Sequence, residues 1–96
     1  MKTSQKMMGS SLSITVDGHI TGKSEVMKIK DIVDHNSEAT VIELIVNDAY
    51  VIPSMLIGVL VREIQVNHKR VRLLCSQDEL KTLIKDLNLD SIIEVS

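Results

Sequence analysis

The amino-acid sequence predicts an α/β fold, a partly parallel sheet whose strands are joined by right-handed helical crossovers. Two observations support this prediction. Segments with strand periodicity alternate with segments of helical periodicity, in the order strand, helix, strand, helix, strand, helix, strand. The connections are short, and the 96 residues suffice for one modest core. We expect one domain over residues 11–96, preceded by a flexible leader at residues 1–10, which are polar and aperiodic.

The first half of the chain predicts a strand, a helix and a second strand. Apolar and polar residues alternate over residues 12–16, as in a strand with one solvated face. A turn signal follows at residues 17–18, and apolar residues then recur at helical spacing up to about residue 35. Residues 40–46 are rich in β-branched side chains and are interrupted only by Glu43, which suits a central strand.

The segment after this second strand is the most conspicuous part of the sequence. Pro53 is the only proline, and it cannot lie inside a central strand because it lacks an N–H group. Ser54 follows at the start of a nearly unbroken apolar run, where serine is a favoured N-cap. We predict a helix from Ser54 to about Asn67, with its first turns apolar on every side.

The last third predicts a strand, a helix and a closing strand. Residues 71–75 are mostly apolar, and the Ser-Gln-Asp-Glu sequence at residues 76–79 is a capping box. A stripe of leucine and isoleucine then predicts a helix over residues 80–87. Asn88 tolerates the left-handed conformation that often ends a helix. Residues 92–95 predict a short final strand.

Composition excludes several classes of function. Tyr50 is the only aromatic residue and the net charge is −2, so a base-stacking surface or a basic nucleic-acid interface is not expected. The apolar run at residues 51–61 is too short to span a membrane, and no secretory signal is apparent. The single cysteine, Cys75, fits a reducing compartment, so we expect a cytoplasmic protein in which this thiol is buried.

The sequence also argues against an enzyme or a metalloprotein. It has no glycine-rich phosphate loop, carboxylate dyad or nucleophile–base pair, and we expect no cofactor. Asp31, Asp34, His35 and Glu38 lie at helical spacing that could place metal ligands on one side of a helix. A solvated helix face explains the same four residues more simply.

From Leu12 to Val95 the chain resembles the STAS family, named for sulfate transporters and anti-sigma factor antagonists. The turn at residues 16–21 looks like the family's Gly-Glu-Leu-Asp stretch, and residues 41–46 look like its central strand. Residues 69–75, the following helix and Asn88-Leu89 look like its ending. This resemblance implies a single STAS-like domain, with a central mixed sheet and helices packed mainly on one face.

The resemblance also implies a phosphorylation site. The family's signature is Asp-Ser-Ser-Gly-Leu at the start of its second helix, and the second serine or threonine is the phosphoacceptor. Ser54 matches that position when Leu56 is aligned with the family's leucine, and Ile52 then replaces the signature aspartate. A shift by one residue would place Met55 at the acceptor and abolish phosphorylation, but the leucine spacing favours Ser54.

In that alignment the partner-binding surface is the loop and helix start around Ser54. The residues we assign to it are Asn47, Asp48, Tyr50, Ile52, Pro53, Ser54, Met55, Leu56, Gly58 and Val59. For Met55, Leu56 and Ile57 individually, burial in the core is the simpler reading, although some of the three should face outward. For Ser54, the simpler reading is a plain helix cap.

Two functions follow from the resemblance. The first is a bacterial regulatory switch that binds an anti-sigma factor or a serine kinase and is reset by a phosphatase, with a weak homodimer as a further option. The second is a constitutive subunit of a lipid or solute transport complex, docked on an ATPase without phosphorylation. Loss of the signature aspartate slightly favours the second.

Overall fold

A computed structural model describes all residues, 1–96, as five strands, three α-helices and one short 3₁₀ helix. The elements in chain order are β1 Lys2–Met8, β2 Ser11–Asp17, α1 Lys23–His35, β3 Val41–Asn47, α2 Ser54–Gln65, β4 Arg70–Cys75, α3 Asp78–Asp86, a 3₁₀ helix at Leu89–Ser91, and β5 Glu94–Val95. The structure contains no helix with the length and apolar character that crossing a membrane requires.

The five strands form one sheet in the order β1-β2-β3-β4-β5. β1 pairs with β2 antiparallel, and every other neighbouring pair is parallel. Each parallel crossover therefore moves one strand further in the same direction. Because such crossovers are right-handed, α1, α2 and α3 are all placed on one face of the sheet. This mixed sheet with helices on one face confirms the predicted fold class.

Burial alternates along the strands as this arrangement requires. Leu12, Ile14 and Val16 of β2 are buried under the helices, whereas the residues between them are only half-buried on the other face, here called the open face. β3 shows the same alternation. The core consists of aliphatic side chains and Cys75, which pack between the helical face and the three helices.

The open face carries a row of polar side chains across four strands. Ser13 Oγ donates to Glu43 Oε1 at 2.9 Å, and Arg72 lies 3.2 Å from the other Glu43 oxygen. Arg72 also contacts Glu94 at 3.3 Å, and Arg70 pairs with the same carboxylate. Glu43 interrupts the apolar run of β3 because its position points to this open face.

The expectation of a flexible leader is wrong for residues 2–8, which form the edge strand β1. Its register pairs Met8 with Ser11, leaving a two-residue hairpin turn. Gly9 in that turn has φ +61°, which glycine adopts without strain. β1 buries almost no apolar surface, so its sequence lacks the alternation that reveals β2.

The closing strand is shorter than predicted. The 3₁₀ helix holds Ile92 and Ile93 by hydrogen bonds from their N–H groups to the Leu89 carbonyl, at 3.1 and 2.8 Å. Only Glu94 and Val95 remain to pair with β4. The left-handed conformation expected at Asn88 is confirmed, with φ 59°.

Leu44 and Ile45 are neighbours on β3 that face opposite sides of the sheet, so they offer a matched test of this layering. Leu44 is fully buried and Ile45 is half-buried. We expect Leu44→Ala to lower the free energy of unfolding by about 2–5 kcal/mol, and Ile45→Ala by about 1 kcal/mol. Urea denaturation of the two variants measures both losses, and equal losses would contradict a sheet covered on one face.

Glu25 in the first turn of α1 makes the protein's stability sensitive to acid. Thr21 Oγ1 donates to it at 2.6 Å and Ser24 Oγ at 2.9 Å, and these hydrogen bonds lower the pKa of Glu25 from 4.5 to about 2. The charged carboxylate therefore stabilises the folded state fully above about pH 4.5, and this contribution is lost as the pH falls towards 2.

We accordingly expect the thermal midpoint of the Glu25→Gln variant to fall less than that of the wild type between pH 4.5 and pH 2.5. The control is Glu38→Gln, which changes an exposed glutamate for which no hydrogen bond is found. Parallel losses in wild type and Glu25→Gln would show that Glu25 does not carry this acid sensitivity.

Candidate functional site

The β3–α2 loop, residues 48–53, lies at the edge of the sheet where the parallel strands end. Asp48 has φ 65°, a left-handed conformation that is uncommon outside glycine. Ala49 and Ile52 are buried, whereas Tyr50 and Val51 are 48% and 62% exposed. The loop is thus anchored at two positions and presents two large apolar side chains to solvent between them.

Ser54 is the first residue of α2 and not its N-cap, so the predicted cap is wrong. The N-cap is Pro53, with φ −63° and ψ 146°, and no side chain caps the helix. The Pro53 carbonyl accepts from Leu56 N at 3.0 Å and from Ile57 N at 3.3 Å. The Ser54 side chain is exposed, and its hydroxyl makes no hydrogen bond within the protein.

The helix start around Ser54 is electrostatically positive. The first N–H groups of a helix have no intrahelical acceptor, and those of Ser54 and Met55 find no backbone carbonyl elsewhere. The first turn of α2 contains no acidic residue that would offset the helix dipole. An anionic group on the Ser54 oxygen would therefore lie in a favourable field and within reach of unused donors.

A hydrogen bond from the β4–α3 connection fixes the beginning of the β3–α2 loop. Asp48 N donates to Ser76 Oγ at 2.9 Å, and Ser76 N donates to the Val46 carbonyl at 3.1 Å. The predicted capping box is therefore wrong: α3 begins at Asp78 with Gln77 as N-cap and without a side-chain cap bond. The Ser76 hydroxyl binds the neighbouring loop instead of its own helix.

The β2–α1 connection supports the same loop from the other side. Gly18 N donates to the Asn47 carbonyl at 3.0 Å, and Asn47 Nδ2 donates to Asp17 Oδ1 at 2.9 Å. The rings of His19 and Tyr50 lie 6.1 Å apart and are tilted by 33°. The connections after β2 and β4 therefore contact the β3–α2 loop, or the end of β3, from both sides.

The structure divides the predicted partner-binding residues into two groups. Ile52 and Leu56 are buried in the core, so they support the surface from below and cannot lie on it without unfolding. The remaining predicted residues are at least partly accessible: Asn47, Asp48, Tyr50, Pro53, Ser54, Met55, Gly58 and Val59. We call these eight residues, together with Val51, the docking surface.

Sequence reasoning overlooked three residues of this region. Val51 is the most exposed large apolar residue of the loop, and its place in an apolar run concealed that exposure. His19 and Ser76 contact the loop from distant parts of the chain. Met55 is 46% exposed and Leu56 is buried, which confirms that some of the apolar residues at the helix start face outward.

The other sequence candidates have structural partners. Asp34 pairs with Lys30 at 2.7 Å, and His35 Nδ1 lies 2.6 Å from the Asp31 carbonyl. No group of three or more His, Cys, Asp or Glu side chains is placed to hold a metal ion. Cys75 is buried as expected, and burial raises the pKa of its thiol.

The sheet order and the helices on one face are the arrangement expected of the STAS fold. Among solved structures, the chain is similar to the anti-sigma factor antagonist SpoIIAA in its unphosphorylated form. The TM-score is 0.75, the sequences are 14% identical, and the match covers 99% of this chain and 88% of that one. No protein-family model and no curated protein sequence matches the chain. The structural likeness confirms the predicted STAS fold.

The hydrogen bond between Ser76 and Asp48 gives a direct test of loop anchoring. We expect Ser76→Ala to accelerate hydrogen exchange of the Asp48 amide by about fivefold, because the loss of one hydrogen bond costs about 1 kcal/mol. Ser76→Thr keeps the hydroxyl and should restore protection. Exchange measured by NMR distinguishes these outcomes, and an unchanged Asp48 amide in Ser76→Ala would exclude the anchor.

Proposed function

We propose that this protein is a non-catalytic regulatory interaction domain that binds a partner protein through the docking surface. The observation that carries the proposal is the exposed, unbonded Ser54 hydroxyl at a helix start, flanked by the exposed apolar side chains of Tyr50, Val51 and Met55. Such a cluster suits a partner contact, because apolar side chains supply contact area and become dehydrated on binding. The STAS fold supports this role.

We further propose that the partner is of the anti-sigma or serine-kinase type, and that phosphorylation of Ser54 releases it. A phosphate adds nearly two negative charges where the helix dipole and the free N–H groups of Ser54 and Met55 can accommodate them. The isolated domain therefore keeps its fold. A partner packed on Tyr50 and Met55 would have to desolvate the dianion, so binding is lost. This would place the protein in a bacterial cytoplasmic signalling pathway.

The absence of an acidic side chain beside Ser54 keeps the transport-complex function as the alternative. Ile52, which aligns with the family's aspartate, is buried and offers no carboxylate to a kinase or a partner. In that alternative the same apolar surface docks permanently on an ATPase. The two functions share the surface and differ in whether charge at Ser54 matters in the cell.

Affinity capture with wild type, Ser54→Ala and Ser54→Glu identifies the partner and tests the switch. We expect Ser54→Ala to bind as wild type does, and Ser54→Glu to bind at least about tenfold more weakly, a loss of about 1.4 kcal/mol. Ser4→Glu is the matched control, because it adds the same charge at an exposed serine on β1. Calorimetric titration of each variant with the captured partner gives the affinities.

A partner of the kinase or anti-sigma class that is lost only with Ser54→Glu would establish the switch. Equal binding of all variants to a transporter ATPase would establish the alternative. A partner that binds unchanged when Tyr50 and Met55 are both replaced by alanine would exclude the docking surface itself.

A further inference from the structure

A polar groove runs along the seam between α1 and α2, and Ser54 is not among the residues that line it. Its larger part encloses about 330 Å³ and continues into a second depression of about 260 Å³. Asp34, Glu63 and Asn67 line both parts, which makes them one continuous groove. Its volume falls in the range of small-molecule sites.

The floor of the groove contains the only buried charged residue of the protein, Glu63. Its carboxylate accepts from Asn67 Nδ2 at 2.6 Å, and its side chain is 7% exposed. Lys69 lies beside it with a side chain that is 10% exposed, and Lys69 Nζ is 3.7 Å from Glu63 Oε1. Buried ion pairs contribute little net stability, so the stability of the fold does not explain why Glu63 and Lys69 are buried together.

The ammonium of Lys69 has unused hydrogen-bonding capacity. The 3.7 Å separation from Glu63 exceeds hydrogen-bond length, and no other group in the protein accepts from Lys69 Nζ. Every fully buried side-chain nitrogen or oxygen of the protein has a hydrogen-bond partner. Because Lys69 Nζ has none, it is not fully buried, and its free donors are open to the groove that Lys69 lines. An ammonium with three donors and nine-tenths of its side chain buried attracts an acceptor oxygen.

The charges along the groove indicate what kind of acceptor fits. Lys30, Arg62 and Lys69 are cationic, whereas Asp34 and Glu63 are anionic, which leaves one positive charge without compensation. Arg62 makes no ion pair. A monoanion balances the groove, whereas a dianion would be repelled by the two carboxylates.

The apolar part of the lining is small and lies at the α2 wall. Met55 and Val59 supply it, and Gly58 between them has nothing within 4 Å of the position that a Cβ would occupy. Glycine in an exposed helix interior costs about 1 kcal/mol relative to alanine, and no contact in the protein requires Gly58. A short aliphatic chain can lie along this wall.

We propose that the α1–α2 groove binds a small aliphatic monocarboxylate, whose oxygens accept from Lys69 and Arg62. The hydrocarbon part lies against Met55, Gly58 and Val59. Ser54 does not line the groove, and the test requires no partner protein. Butyrate is a suitable probe, and butyramide is the matched neutral control because it differs in charge and not in shape.

The test is an NMR titration of the ¹⁵N-labelled protein with sodium butyrate, with sodium chloride holding the ionic strength constant. We expect saturable shifts of the Gly58, Asn67 and Lys69 amides, with a dissociation constant of about 1 mM or below, and no saturation with butyramide. Lys69→Met should weaken binding by about tenfold, and Arg62→Gln by about threefold. Lys28→Gln, which removes a cation from the exposed side of α1, should leave binding unchanged.

Three results would overturn the proposal: butyrate shifts that rise linearly with concentration, equal saturation by butyramide, or equal affinity in wild type and Arg62→Gln. Arg62 is exposed, so this variant tests the site even if Lys69→Met does not fold. The groove shares Met55, Gly58 and Val59 with the docking surface. Lys69 and Arg62 lie outside that surface, so loss of butyrate binding in Lys69→Met or Arg62→Gln with an unchanged partner complex would assign butyrate to the groove and the partner to the docking surface.

Discussion

The handedness of the parallel crossovers is the constraint on which the rest of the structure depends. Each crossover from β2 to β5 moves one strand in the same direction, so right-handed connections place every helix on the same face. The sheet therefore never reverses its order and has no switch-point crevice of the kind where open α/β sheets bind ligands. The surfaces that remain for binding a ligand or a partner are the loop edge of the sheet, the open face and the seams between helices.

The same constraint explains why the strand ends act together. The loops after β2, β3 and β4 emerge side by side at one edge, which brings Asn47, Asp48 and Ser76 within hydrogen-bond distance of neighbouring connections. The β3–α2 loop is central in this row and is supported from both sides. Its exposed side chains are consequently displayed on a loop whose beginning is hydrogen-bonded on both sides, and such anchoring reduces the entropy that a partner complex would otherwise lose.

Elements that contribute to the core could be predicted from the sequence, because burial imposes a period on it. β2, α1 and α3 follow from apolar spacing, whereas β3 and α2 follow from nearly unbroken apolar runs with Pro53 between them. β1 could not be found this way, because residues 2–6 of this edge strand are polar on both faces, only Met7 is partly buried, and the strand is held by backbone hydrogen bonds to β2. Backbone pairing leaves no periodic trace when neither face is buried.

Interactions between distant segments were the second feature that could not be predicted from the sequence. Ser76 has the local signature of a helix cap, but its hydroxyl is used by Asp48, 28 residues away. Such side-chain bonds compete with local capping, and only the tertiary arrangement decides between them. The ion pair between Glu63 and Lys69 could not be predicted from the sequence either. Both residue types are normally exposed, and the sequence gives no reason to bury them.

The misassigned cap at Ser54 bears directly on the proposed switch. An N-cap serine holds its hydroxyl against the N–H groups of the first turn, and a kinase would have to break that bond before transferring phosphate. Here Pro53 occupies the cap position, and its fixed φ presets the entry into α2 without using a side chain. Ser54 is thereby relieved of a structural role, so its hydroxyl is free for modification and its replacement costs the helix little. Pro53 thus favours an accessible hydroxyl at Ser54, whereas Ile52, two residues before Ser54, is buried and places no carboxylate beside it. The two features act on different steps, since the first concerns access to the hydroxyl and the second concerns recognition by the kinase or partner.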